Sequence, residues 1–433
     1  MRRRNSIFAN LDWWIVLLYL LLVFAGWLNI YSAVYNEEFE SIFDISQRYG
    51  KQLLWIGTAL VLATVILLID ERFFPTFSYP IYGFFIFLLI LVMIIGSEVK
   101  ATASWFTIGG FAVQPSEFAK FATNLALAKY VSSLHVNLRK WKDQVIAFAI
   151  ISLPALIILL QNDTGSALVY LSFILVLYKE GMSGVILVIG VVATILFIFS
   201  LYFRNEVYDL PFDLSMSGTV MISLILVLIF VLIGYINRKK TKVLFLLVGI
   251  LFACISFIKS VDYIFDEVLG AHQSKRINVM LGLESDPQGA GYNVRQSLIA
   301  IGSGGFSGKG YLEGTQTKYN FVPEQSTDFI FCTIGEEWGF VGSLIVVGLF
   351  VTLFLRLIIV SSRQRSDFAR IYGYGVACVL FFHFTINIGM TIGLMPVIGI
   401  PLPFFSYGGS SLWAFTILLF VFLKLDADRM HVL

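Results

Sequence analysis

The sequence predicts an all-α, polytopic membrane protein: a bundle of about twelve transmembrane helices with one large loop on the outer side. Two observations carry this prediction. Of the 433 residues, 58% are apolar and only 13% are charged, whereas a soluble domain has roughly 25% charged residues. The apolar residues also fall in long runs, and a helix needs about 20 such residues to cross a bilayer. The net charge of +2 gives no reason to expect nucleic acid.

The apolar runs define the predicted spans in order. All of them must be helical, because lipid cannot satisfy the backbone groups of an open strand, and strand-like alternation is absent. The first run begins at Trp13 and is too long for the apolar part of a signal peptide. The predicted spans cover residues 13–30, 52–69, 77–96, 116–133, 144–160, 165–179, 183–203, 217–236, 243–260, 328–358, 371–395 and 410–425.

Lys and Arg residues cluster in alternate loops, and such an excess marks the cytoplasmic side. Basic clusters occur at residues 2–4, 139–142 and 238–242, whereas the loops at 36–43 and 205–216 contain few Lys or Arg residues. Both termini are therefore predicted to be cytoplasmic.

The connection at residues 261–327 is then on the outer side. A connection of this length is uncommon unless it is functional. Val294, Leu298 and Ile301 lie at helical spacing, which predicts short interfacial or re-entrant helices within this loop.

Two motifs in the outer loop combine glycine with a charge. Asp286 precedes Pro287 and two glycines, and it is either an Asx-type turn or a general base held at a rigid turn. Residues 302–310 form a glycine run with Lys309, whose spacing fits neither a Walker A loop nor a dinucleotide motif. This run is either a phosphate cradle, which would bind through backbone N–H groups, or a surface hairpin.

Charged residues also lie at the start of the fourth predicted span. Glu117 and Lys120 follow Pro115 at i,i+3 spacing, and they either face a polar cavity or neutralise each other as a structural pair. Trp105, just before them, is typical of an interfacial aromatic belt.

The last third of the chain adds further polar positions among apolar runs. Thr327 or Asp328 is predicted to cap the long helix that follows residues 323–328. The adjacent Glu336 and Glu337 indicate a polar cavity, and His383 and Asn387 are predicted to form interhelical hydrogen bonds. Residues 399–410 contain two prolines and a glycine pair, so this segment must be non-helical and must line protein or water.

Together these motifs resemble the SEDS family (shape, elongation, division and sporulation), and its rod-shape members more than its division members. The matching stretches run in family order and cover nearly the whole chain. They are QPSEFAKFA (114–122), DPQGAGYNVRQSLIAIGSGGFSGKGYLEGTQ (286–316), PEQSTDFIF (323–331), GEEWGFVG (335–342) and IGIPLPFFSYGGSS (398–411).

The resemblance implies a peptidoglycan glycosyltransferase of the bacterial cytoplasmic membrane with its active site on the outer face. Members of the family polymerise lipid II and a lipid-linked glycan strand into β-1,4-linked glycan with release of undecaprenyl diphosphate. They work with a class B penicillin-binding protein, here in the elongation machinery that sets rod shape. The resemblance also implies that Asp286 is the essential aspartate, which we interpret as the general base.

The remaining candidate residues are assigned to substrate binding, with the three basic ones as candidates to face the diphosphate. They are Trp105, Glu117, Lys120, Arg295, Lys309, Glu324 and Asp328. A divalent cation, magnesium or manganese, is compatible with this chemistry, but it leaves little trace in a sequence and its ligands stay unassigned.

The chain departs from the family pattern at three places. Ser104 stands where the family often has arginine, and Ser326 where it often has histidine, so neither role is carried over. The family usually has ten spans, and we interpret residues 205–260 as an inserted transmembrane hairpin that contacts a partner or lipid. The chain is then a single domain over residues 1–433, with the catalytic loop at 261–327.

The main alternative function is a flippase or transporter of lipid-linked precursors. Twelve spans with interior charges and broken helices fit a transporter. Against this, the polar motifs concentrate in one outer loop. A structural scaffold for the elongation machinery is the third hypothesis.

Overall fold

The computed structural model describes residues 10–35, 41–99, 102–108, 111–204, 207–210, 214–263, 274–275, 277–278, 289–319 and 321–429. Asp286 lies outside these residues. The described residues form helices for the most part, as the composition predicts, and they divide into two compact units: Met1–Met182 with Tyr292–Leu433, and Ser183–Gly291.

The larger unit contains most of the helices and one small sheet. Its elements are α1 (Trp13–Ala33), α2 (Arg48–Leu68), α3 (Phe73–Ile95), β1 (Ser97–Val99), β2 (Thr102–Ile108), β3 (Phe111–Val113), α4 (Pro115–Val131), α5 (Trp141–Leu160), α6 (Thr164–Leu168), a 3₁₀ turn (Val169–Ser172), α7 (Phe173–Lys179), α11 (Ala290–Ser303), α12 (Thr315–Lys318), α13 (Ile330–Glu337), α14 (Gly339–Ser362), α15 (Asp367–Thr391) and α16 (Gly409–Ala427).

The smaller unit is a set of apolar helices with one hairpin. Helix α8 (Val185–Phe203) leads into the antiparallel strands β4 (Val207–Leu210) and β5 (Leu214–Ser217). Helices α9 (Gly218–Ile236) and α10 (Thr241–Tyr263) follow and pack on each other. Only 6% of the most apolar stretch of α10 is buried within the protein, so these helices present apolar side chains outward, as lipid-facing helices do.

Helix α16 is the centre of the larger unit. Its most apolar stretch is 89% buried, against 17% in α3. Tyr19 of α1 and Thr416 of α16 share a hydrogen bond of 3.1 Å between their hydroxyls. The α1 backbone also approaches the segment before α16 closely, because a Cβ on Gly26 would lie 2.6 Å from the Phe405 Cα atom.

A buried charge network ties α1, α14 and α16 at the end of the bundle where α1 begins. Asp12 caps α1 by accepting from the Ile15 N–H and forms ion pairs of 2.8 Å with Arg356 and 3.1 Å with Arg363. Arg363 also reaches Asp426 of α16 at 2.8 Å. Asp12 is 2% exposed, and its buried charge is compensated by both arginines, which are themselves about one-third exposed.

The predicted membrane bundle is confirmed, whereas the predicted count of twelve spans is not. Among the described residues, ten helices are long and apolar enough to cross a membrane: α1, α2, α3, α5, α8, α9, α10, α14, α15 and α16. Helix α4 has only 17 residues and contains a buried ion pair, and residues 164–179 divide into two short helices joined by a 3₁₀ turn.

Two local predictions were wrong. The predicted helix at 328–358 breaks at Trp338, because Gly339 adopts a φ of +61° that ends α13 before α14 begins. Neither Thr327 nor Asp328 caps α13, since Phe329 occupies the cap position without a side-chain bond. Strands do occur, in the antiparallel order β1-β2-β3 and in the β4-β5 pair. These strands have only three to seven residues, too few for alternation to be visible in the sequence.

The topology can be tested by cysteine labelling in a variant that lacks the three native cysteines. Helix α10 begins at Thr241 beside the basic cluster, so Thr241→Cys should react only after the cells are permeabilised, because that cluster is predicted to be cytoplasmic. Ser274→Cys should react with an impermeant maleimide in intact cells. Labelling at position 241 but not at 274 in intact cells would reverse the orientation.

Candidate functional site

Two non-helical segments, residues 323–328 and 399–408, are joined by hydrogen bonds to backbone carbonyl groups. The Tyr407 N–H donates to the Ser326 carbonyl at 2.9 Å, and the Ser406 hydroxyl donates to the Thr327 carbonyl at 2.6 Å. Asn387 of α15 bridges the two segments by donating to the Asp328 carbonyl at 2.9 Å and the Ile400 carbonyl at 2.7 Å. The interhelical bonds predicted for Asn387 are therefore wrong, because its amide bonds to the two non-helical segments, where it helps to hold both backbones in place.

Glu324 and Asp328 lie in one tight turn. Glu324 has a φ of +58°, its carbonyl accepts from the Thr327 and Phe329 N–H groups, and its carboxylate accepts from the Thr327 hydroxyl at 2.8 Å. An Asp328 carboxylate oxygen lies 3.4 Å from the place of a Cβ on Gly399. This distance would leave room for a Cβ, so the φ of +78° at position 399 is what favours glycine there.

Arg48, at the start of α2, is a cation beside these segments that the sequence analysis missed. Its guanidinium donates to the Ser326 hydroxyl at 2.7 Å and lies 5.9 Å from the Tyr407 ring centroid. In the family that the sequence resembles, a histidine is frequent at the position of Ser326. In this chain the Ser326 hydroxyl accepts a hydrogen bond from Arg48. Basic residues are few in loops predicted to be external. An arginine beside such a loop was therefore the feature of the sequence that could have identified Arg48.

Glu117 and Lys120 form a buried ion pair on the first turns of α4, which Pro115 opens at the first helical position. The Lys120 ammonium lies 2.8 Å from a Glu117 carboxylate oxygen, and their side chains are 2% and 4% exposed. The ammonium also lies 2.9 Å from His383 Nε2 of α15. The pair is therefore linked to a second helix, as predicted for His383. Because the ammonium is enclosed, a substrate would reach Lys120 only after a rearrangement.

Lys309 is bound by the buried Glu336. Its ammonium lies 2.7 Å from Glu336, whose carboxylate also accepts from both backbone and hydroxyl groups of α12. The Lys309 and Gly310 N–H groups donate to the Glu336 and Glu337 carbonyls, each at 3.0 Å. The glycine run therefore packs on the end of α13, and two N–H groups of the expected phosphate cradle are already occupied.

Tyr311 fastens the same loop to α1. Its hydroxyl donates to the Leu28 carbonyl at 3.1 Å. Burial raises the pKa of Tyr311 to about 12, so the phenol is neutral and remains a donor. A small pocket next to it is lined by Ser32, Tyr35, Leu312, Gly314, Lys318 and Glu337. Glu336 and Glu337 are thus buried polar groups. Their carboxylates already accept hydrogen bonds from Thr317 and Ser32, so the predicted polar cavity is largely filled by protein groups.

The remaining candidates lie on separate elements. Trp105 is on β2, directly across from Ser97 of β1, and Arg295 is an exposed residue of α11. Among the residues that the structure describes, no group of three or more His, Cys, Asp or Glu side chains is placed to hold a metal ion. The structure thus places Glu324 and Asp328 in one turn, links Glu117 and Lys120 to α15, and holds Lys309 in a structural contact. The substrate roles of all these residues stay predictions.

In comparisons by sequence and by structure, the chain is similar to one group of proteins. The sequence matches the cell cycle protein family of FtsW, RodA and SpoVE over residues 12–212 and 210–431. It is 35% identical to the peptidoglycan glycosyltransferase RodA of Treponema pallidum, over 98% of this chain and 99% of that protein. It is 32% identical to the peptidoglycan glycosyltransferase MrdB of Escherichia coli, over 89% and 86% of the two chains. A chain from a peptidoglycan synthase complex aligns with a TM-score of 0.69 and 26% identity, covering 97% of this chain and 98% of that chain.

The Lys309–Glu336 contact predicts a separation of stability from activity. Glu336→Gln should lower the free energy of unfolding by about 1–3 kcal/mol, because an amide N–H would face buried donors. It should also expose the 309–318 loop to protease. Lys309→Met should cost less, since the other donors to Glu336 remain. Thermal unfolding in detergent and limited proteolysis measure both effects.

Glu313→Gln is the matched control, because Glu313 is exposed on the same loop and should change stability by no more than about 0.5 kcal/mol. A Lys309→Met protein of unchanged stability that no longer binds a lipid diphosphate would contradict the structural role and restore Lys309 as a substrate ligand.

Proposed function

The chain belongs to the FtsW/RodA/SpoVE family, and on that premise we propose that it is a peptidoglycan glycosyltransferase that polymerises lipid II into glycan strands for lateral wall growth. One observation carries the proposal: the chain matches a relative named peptidoglycan glycosyltransferase RodA over 98% of its length. The motif segments at 323–328 and 399–408, which hold each other in place, give the rigid scaffold that such chemistry needs.

The proposed reaction joins two lipid-linked sugars. The 4-hydroxyl oxygen of the acceptor sugar forms a bond to C1 of the donor, and the bond between C1 and the diphosphate oxygen breaks with inversion. The hydroxyl proton passes to the general base, and the undecaprenyl diphosphate leaves with the electron pair. A hydroxyl is a weak nucleophile, so a carboxylate within hydrogen-bond reach contributes on the order of 10²–10⁴-fold. Asp286 is our candidate.

The leaving diphosphate requires positive charge where its negative charge develops. Arg48 and Arg295 are exposed cations in the described part of the chain, and Arg48 lies against both motif segments. Lys309 and Lys120 are already paired with carboxylates, which favours the two arginines for direct contact. A divalent cation, magnesium or manganese, remains a candidate, held by the substrate phosphates with one or two carboxylates.

We propose that the prenyl tails of the substrate lie between the transmembrane helices. The sugars then lie at the outer face of the cytoplasmic membrane. Both termini are then cytoplasmic. The likeness to a chain of a peptidoglycan synthase complex supports a partner, which we propose to be a class B penicillin-binding protein. The hairpin at 205–260 consists mainly of the apolar helices α9 and α10, which suits contact with that partner or with lipid.

The central residue can be tested by one conservative substitution. The substitution is Asp286→Asn: Asn has nearly the size of Asp and can make the same side-chain-to-backbone turn bond, but it cannot accept the proton. Polymerisation of lipid II by the purified chain with its partner should therefore fall by at least ~10²-fold, while expression and partner binding stay near wild type. The measurement is the rate of glycan strand formation from labelled lipid II.

Glu117→Gln is the matched control, since it changes a carboxylate in a buried structural pair. Loss of activity there with lowered expression indicates architecture, whereas Asp286→Asn should lose activity at normal expression. An Asp286→Asn protein that polymerises at nearly the wild-type rate would end the assignment of Asp286, and Glu324 and Asp328 would be the next carboxylates to test.

A further inference from the structure

Lys120 is a buried ammonium held between three helices. It lies 2.8 Å from a Glu117 carboxylate oxygen on its own helix α4 and 2.9 Å from His383 Nε2 on α15. The Phe415 ring of α16 has its centroid 5.5 Å from the ammonium nitrogen. His383 is itself 1% exposed. Bulk water therefore does not compete for the hydrogen bonds among these groups.

The hydrogen bonds fix the tautomer of His383. A lysine ammonium has three donors and no acceptor, so the Nε2 atom must accept this bond. Nδ1 then carries the ring hydrogen and faces the Pro401 carbonyl oxygen at 3.3 Å, which accepts it. A doubly protonated ring would direct an N–H group at the ammonium, so the geometry requires a neutral imidazole.

The two bonds of the ring connect the ion pair to the motif segments. Pro401 belongs to the 399–408 segment. One helical turn beyond His383, Asn387 donates to the Ile400 and Asp328 carbonyls. The same face of α15 therefore holds the Lys120 ammonium, the 399–408 segment and the end of the 323–328 segment.

We propose that His383 is a positioning residue for the glycosyl transfer: it holds the Lys120 ammonium of the Glu117–Lys120 pair in place by accepting through Nε2, and the Nδ1 bond to Pro401 only orients the ring. It does not touch the substrate itself. Glu117 Oε2 has no hydrogen-bond partner among the described residues, so the pair that His383 fixes keeps one acceptor for a further donor. This inference rests on the proposed function.

Two substitutions separate the two bonds of the ring. Glutamine places an amide oxygen near the position of Nε2, and it can still accept from Lys120. Asparagine places an amide nitrogen near the position of Nδ1, and it can donate to Pro401 but cannot reach Lys120. His383→Gln should keep kcat for lipid II polymerisation within about threefold of wild type, and His383→Asn should lower it by about 10- to 100-fold, the loss expected of misplaced groups.

Thermal unfolding in detergent is measured on both variants, because a purely structural role would lower the Tm and the kcat of both together. Equal losses of kcat in the two variants, or near wild-type kcat in His383→Asn, would overturn the proposal. A double-mutant cycle adds a second test. In a Lys120→Gln background, His383→Asn should have little further effect, because residues that act through one another are not additive. Additive losses would also overturn it.

The tautomer can be measured without any activity. ¹⁵N-labelled histidine in the full-length wild-type chain in liposomes should give one neutral ring protonated at Nδ1, and this signal should be missing in His383→Gln. A charged ring, or one protonated at Nε2, would contradict the inference. A wild-type chain with its partner that shows this tautomer yet polymerises no lipid II would instead refute the proposed function.

Discussion

A charge buried inside a membrane bundle is stable only when a partner of opposite sign or several donors lie beside it, and this chain uses that constraint to join its elements. Asp12 joins α1 to α14 through Arg356. Glu336 holds the loop after α11. The Glu117–Lys120 pair reaches His383 on α15. Each of these contacts lies between residues far apart in the sequence or between a helix and a loop, so the charges fix tertiary arrangement in a body whose other contacts are mainly apolar and non-directional.

The same constraint defines where chemistry is possible. Lys120 and Lys309 are neutralised by carboxylates of the bundle, so they shape the site without offering free charge. The non-helical segments at 323–328 and 399–408 satisfy each other's backbone groups, which membrane-embedded irregular backbone requires. What remains exposed among the candidate cations is the guanidinium of Arg48 and that of Arg295. Of these two, Arg48 contacts both non-helical segments, through Ser326 and Tyr407.

The sequence predicted the membrane bundle, the short helix within residues 261–327 and the interhelical hydrogen bond of His383, because hydropathy and spacing are local properties. It did not predict the break at Trp338, since Glu336 and Glu337 do not by themselves end a helix and the φ of +61° at Gly339 is not visible in the sequence. Nor could it pair Lys309 with Glu336, because a contact between the loop after α11 and helix α13 leaves no periodic pattern. The role of Asp286 comes from family resemblance, and no physical property of that stretch alone separates a base from a turn.

The most direct test of the proposed activity is the incubation of lipid II with the purified chain and a cognate penicillin-binding protein in detergent micelles, followed by separation of the glycan products by length. Micelles have no second leaflet, so a flippase cannot move lipid II from one leaflet to another in them. We predict glycan strands of many units, formed even when the transpeptidase of the partner is blocked and lost when the chain is omitted. Unchanged lipid II in micelles, together with movement of lipid II across the bilayer of proteoliposomes, would contradict the account and establish a transporter.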